Sequence, residues 1–161
     1  MGNIPDIEKI LVLETRARKF GSGIYLDDLL GKWKLKQVFT KKKPSIDIFS
    51  SAILNFLNAV LEIKKINVEN DDLSIQIKNS IKLSLLKIEF QGLAQIVGKQ
   101  PRLVFYFDQF SIYFLTKLLF NKKLLEIDYS KRPFFALIAV SDSKDWLSAR
   151  GKGGGLALWL K

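Results

Sequence analysis

The chain has 161 residues, 48% of them hydrophobic, and a formal net charge of +10. This length and composition predict a single domain, 1–161, with a sizeable core, and exclude a disordered chain. The absence of cysteine and histidine excludes disulfides, thiolate chemistry and imidazole bases or ligands, while the charge favours acidic partners.

Residues 4–22 read as an N-terminal helix. Ile7, Ile10, Leu11 and Leu13 or Glu14 recur near helical spacing, with Pro5 in the first turn. Asp6 and Glu8 suit its start; Arg16, Arg18 and Lys19 suit its end. Gly21-Ser22-Gly23 then stops it. A short helical turn fits Asp27–Leu30.

Residues 28–161 read as β structure. Trp33, Leu35 and Gln37 alternate with Lys32, Lys34 and Lys36, a strand with one wet face. Thr40–Ser45 is a charged loop, and the apolar run 48–64 holds one long strand or a bent pair. Turns are predicted at Asn70-Asp71-Asp72 and at Asn79-Ser80. The alternation slips near Leu86, as a bulge would make it. Leu103–Phe107 is a strand that Asp108-Gln109 breaks. Later strands are expected at Leu124–Tyr129, Phe134–Val140, Trp146–Arg150 and Leu156–Leu160. Roughly nine strands at this spacing predict a meandering antiparallel barrel or sandwich, and the two-faced apolar runs favour a closed barrel.

Little in the chain promises catalysis. Asp71-Asp72 falls in a predicted turn, and Gly151–Gly155 lies between two β runs with no helix behind it. No catalytic or metal-binding residue is assigned, and no cofactor is expected. No apolar run approaches the roughly 20 residues of a spanning helix, and no signal peptide is visible. The chain reads as cytoplasmic or peripheral to a membrane, and not secreted.

The window 110–120 is the most apolar and has two readings. One is a buried strand and turn. The other is a rim in which Phe114 and Phe120 dip into a bilayer while Lys117, Lys122 and Lys123 meet anionic headgroups. Phe56, Phe90, Phe105 and Phe107 are candidates for the barrel interior, where they either line a ligand cavity or fill it.

Leu29–Leu35, LLGKWKL, opens the first strand. Gly31 lets the entering chain approach the barrel floor, and Trp33 plugs that end. Arg150, the only arginine in the last 28 residues, is expected to cover Trp33 through a cation–π contact.

This block, Asp28–Leu35, resembles the "L-x-G-x-W-x-L" opening of the plastid lipid-associated proteins, or plastid fibrillins. Trp146–Trp159 resembles that family's closing "L-R-I-x-R-G-x-G-G-x-x-F-V-L", and Leu57–Glu62 its "x-N-V-V-x-F" strand. Ala149 stands where the family favours isoleucine or serine, and Ser143-Lys144-Asp145-Trp146 replaces a tyrosine-leucine-aspartate lead-in. Lack of a transit peptide would fit a cyanobacterial or otherwise unprocessed member. The resemblance implies a mainly β, lipocalin-like (calycin) antiparallel barrel of about 8–10 strands behind an N-terminal helix. It also implies non-catalytic binding of small lipophiles such as carotenoids, quinones or fatty acids, at thylakoid membranes or lipid globules.

Two other functions compete. One is a phycobilin lyase or chaperone on a similar barrel; the scatter of Arg16, Arg18, Arg102, Arg132 and Arg150 argues against a bilin-propionate cluster. The other is a basic RNA-binding module, for which exposed aromatics interleaved with lysines are missing. Oligomeric state is not legible.

Overall fold

The computed structural model describes residues 4–39, 59–66 and 75–161. Phe56, the charged loop at 40–45 and the turn at 70–72 lie outside the described residues.

Helix α1 spans Ile7–Phe20. It is shorter than the expected 4–22 because Asp6 caps it, accepting the Lys9 amide at 2.8 Å, and Gly21 ends it at φ 88°. Its buried face is Ile10, Glu14 and Ala17, while Ile7 and Leu11 are exposed. Helix α2 is a single turn, Leu26–Leu29.

The rest is mainly β. The strands are β1 Gly31–Phe39, β2 Ala59–Lys65, β3 Ile75–Leu83, β4 Leu86–Val97, β5 Arg102–Phe114, β6 Lys117–Lys123, β7 Phe134–Val140, β8 Trp146–Gly151 and β9 Leu156–Leu160. Among the described residues all belong to one nine-stranded antiparallel sheet. The ring runs β1, β2, β3, β4, β5, β7, β8, β9 and returns to β1, so the sheet closes into a barrel.

Strand β6 stays outside the ring. The start of β5, Arg102–Val104, pairs with β7, whereas its far half, Gln109–Phe114, pairs with β6. A bulge divides the two halves. Gln91 faces Gln109 but Gly92 faces Phe107, which leaves Asp108 as the extra residue. Asp108 therefore bends β5 where the sequence suggested a break. Gly92 is required at this bend, since a Cβ there would overlap the Tyr106 carbonyl oxygen.

Other local expectations change as well. The slip near Leu86 is a tight hairpin: Leu83 pairs with Leu86 across Ser84-Leu85, with Ser84 at φ 53°. Asn79-Ser80 is not a turn but the middle of β3. Residues 124–129 form no strand; a single 3-10 turn follows at Tyr129–Lys131. In β1 the pairing with β9 shifts between Leu35 and Gln37, which exposes Gln37 and turns Val38 inward.

Two apolar cores result among the described residues. One fills an end of the barrel with Trp33, Ile63, Ile77, Leu103 and Leu137. The other lies outside the ring, where Ile10 of α1 meets Ile138, Leu156 and Leu158. Each fully buried aliphatic side chain of this kind contributes about 1.5–3 kcal/mol.

Candidate functional site

The filled end is sealed by α2 and Trp33. Leu29 and Trp33 are both fully buried, and the indole Nε1 donates to the Leu29 carbonyl at 2.7 Å. A buried N–H needs such a partner, so the bond fixes the ring as well as satisfying it. Gly31 stands just before it at φ 121°, a left-handed conformation that favours glycine. Lys144, on the β7–β8 turn, grips Asp28 of α2 at 2.9 Å. The Tyr25 amide and then Lys144 hold the Asp28 carboxyl below its usual range.

The cation over Trp33 is Lys161, whose Nζ sits 4.9 Å from the ring centroid. Arg150 was expected there and is engaged elsewhere. Its Nε and Nη2 clasp Glu14 of α1 at 2.6 and 2.5 Å, and its Nη1 reaches the Gly154 carbonyl at 2.7 Å. Glu14 is a buried carboxylate facing the outside of the barrel, and a bidentate guanidinium is the partner its burial demands. The hydrogen bonds from Arg150 outweigh burial and hold the Glu14 carboxyl below its usual range; Glu14 in turn raises Arg150.

The opposite part of the barrel is hollow among the described residues. A cavity of about 660 Å³ opens there, walled by Leu61, Phe105, Phe107, Phe135, Ala157 and Trp159 among others. Its aromatic walls form a chain. Phe107 lies 5.6 Å from Phe105, Phe105 stacks on Phe135 at 5.2 Å, and Phe135 meets Trp159 edge-on at 5.2 Å. Ser130, Lys131, Lys152 and Gly153 also border it. Lys152 Nζ donates to the carbonyls of Ser130 and Arg132, tying the β8–β9 hairpin to the 3-10 turn. A second recess, of about 710 Å³, separates α1 from the β7–β8 turn; its walls are mixed, with Arg16, Asp28, Asp142 and Lys144 beside apolar residues such as Phe20 and Ile138.

Of the four phenylalanines proposed for the interior, Phe105 and Phe107 are cavity walls. Phe90 does not border it, although its register opposite Asn79 puts it on the same inward face; it packs against Phe107 at 5.5 Å and Phe110 at 4.9 Å. Phe56 is outside the described residues. Sequence reasoning missed Phe135, Trp159 and Asn79. Trp159 and Ala157 share one face of β9 by period 2, a signal that was present. Asn79 was hidden by its reading as a turn residue.

Window 110–120 is a hairpin, but its tip is not buried. Phe114, Leu115, Leu118, Leu119 and Phe120 are all exposed, as are Lys117, Lys122 and Lys123. The β3–β4 tip lies beside it, with the Leu115 amide donating to the Leu85 carbonyl at 2.6 Å. Leu83, Leu85 and Leu86 are exposed too. The two tips together form one apolar projection flanked by lysines.

Among the described residues no group of acidic side chains could hold a metal ion, and no helix is long and apolar enough to cross a membrane. No family model, no curated protein and no solved structure matches this chain.

Proposed function

We propose that the protein is a lipocalin-like, non-catalytic carrier of small lipophilic molecules that works at an anionic membrane surface, as the resemblance to the plastid lipid-associated family implies. The observation that carries this reading is the cavity of about 660 Å³ with its aromatic walls. Ligand cavities run from about 300 to 1,000 Å³ and bury most of an apolar guest. Burial gives about 25 cal/mol per Å² of apolar surface, so such a guest needs few polar contacts. The apolar double tip and its lysines support the membrane half of the reading: leucines and phenylalanines suit the acyl boundary, and lysines suit anionic headgroups.

A bilin is a poorer guest, because no arginine borders the cavity among the described residues. Arg102 and Arg132 lie over Phe134 and Tyr106, and Arg150 is spent on Glu14.

The test is extraction of the purified protein with organic solvent, alongside titration with lipophiles. Trp159 borders the cavity, so a guest should quench tryptophan emission. If nothing co-purifies and no lipophile quenches, the carrier reading fails.

A further inference from the structure

Asn79 lies on β3, opposite Leu61 of β2 and Phe90 of β4. It borders the cavity and is only 3% exposed. Among the described residues its Oδ1 is buried without a hydrogen-bond partner. Leaving a buried carbonyl oxygen unpaired destabilises a fold, and a leucine of similar size would carry no such penalty. The nearby walls, Leu61, Phe105 and Phe107, have no side-chain donor to offer it.

Two of the other polar side chains around the cavity have partners of their own. Lys152 is held by two backbone carbonyls, and Lys131 pairs with Asp128 at 3.3 Å. The second buried orphan among the described residues, Ser22 Oγ, belongs to the loop after α1 and does not border this cavity.

We infer that the cavity selects a lipophile bearing a hydroxyl group, whose O–H donates to Asn79 Oδ1 while its apolar body lies on the aromatic walls. This rests on the carrier reading above and narrows it. A pure hydrocarbon or a quinone has no donor for the orphan oxygen. An ionised carboxylate has only acceptors, and burying its charge against apolar walls is costly. A hydroxyl is both donor and acceptor, so it satisfies the amide in either orientation and carries no charge.

The test uses the full chain with diphenylhexatriene, a fluorescent hydrocarbon, as reporter. Tetradecan-1-ol and its methyl ether then compete for the site. They have nearly the same apolar body, and only the alcohol has a donor. The alcohol should displace the reporter about three- to tenfold better than the ether, the worth of one neutral hydrogen bond. The Asn79→Leu variant should lose that preference. If the wild-type protein does not take up the reporter, the carrier reading itself fails. If the reporter binds but alcohol and ether compete equally, the Asn79 inference is overturned. A water molecule satisfying Asn79 would give that second result, and the wild-type comparison needs no variant to fold. A preference that survives in a folded Asn79→Leu protein also overturns it.

Discussion

Glu14 and Arg150 are joined by two hydrogen bonds, at 2.6 and 2.5 Å, across a sequence separation of 136. The pair fastens α1 to the end of β8, beside the hairpin that borders the cavity. Arg18 adds a third bond to the same carboxylate at 2.7 Å. Because Arg150 lowers the Glu14 pKa, the stabilisation is complete above the ordinary carboxylate pKa of about 4.3. It is lost as pH falls through the lower folded value. Glu14→Gln should cost about 1–3 kcal/mol at neutral pH. Thermal unfolding followed from pH 7 to pH 3 should show the two proteins converging at the acid end. A constant gap throughout would mean that the pair is not the source of the loss.

The floor of the barrel makes a second case. Trp33 contributes bulk and a hydrogen bond to Leu29, while Lys161 lies over its ring. Trp33→Phe leaves a void and an unpaired carbonyl, and should cost about 2–4 kcal/mol. Lys161→Met keeps the apolar stem and removes only the charge, so its cost should stay below about 1 kcal/mol. Urea unfolding of both variants measures the difference. Equal losses would overturn the view that the indole, more than the cation, seals this end.

How much of this was legible in the sequence depends on how local each feature is. Phe134–Val140 and Leu156–Leu160 are apolar runs ended by turn residues, and both strands have those bounds. The hairpin at Ser84-Leu85 was missed because its tip is leucine-rich and carries no glycine, asparagine or proline. Asn79-Ser80 has turn chemistry, yet both neighbouring strands pair through it and override that preference. Asp108 looks like a breaker, but a bulge absorbs it. The site divides in the same way. Phe105 and Phe107 follow from an aromatic run, whereas the Arg150 partner could not be guessed, because Glu14 lies 136 residues away and nothing local pairs the two. The choice between Lys161 and Arg150 above Trp33 is a matter of three-dimensional register, which spacing along the chain does not encode.

The double tip should bind bilayers through leucines first and lysines second. Leu85→Glu with Leu115→Glu places charge at the apices of both hairpins, where each leucine is exposed and its substitution should spare the core. Flotation with anionic vesicles should be abolished in this variant. Reversing Lys117, Lys122 and Lys123 to glutamate should weaken flotation in proportion to vesicle charge, at about 1 kcal/mol per lysine. Raising salt should weaken the wild type and leave the lysine variant less affected. Unchanged flotation in both variants would remove the tip as a membrane-contact surface.

Filling the cavity separates binding from folding. Ala157 of β9 faces Val38 on one side and Ala149 on the other, and borders the empty space. Ala157→Phe adds a ring to a cavity of about 660 Å³, so it meets room where a packed core would resist. Its stability should stay within about 1.5 kcal/mol of wild type, as tolerated core changes do. Uptake of diphenylhexatriene, read by its fluorescence, should fall severalfold in the same variant. A well-folded Ala157→Phe protein with unchanged uptake would locate the guest elsewhere. The exposed double tip is one such apolar surface, and loss of signal in the same reporter assay on the Leu85→Glu, Leu115→Glu protein would identify it.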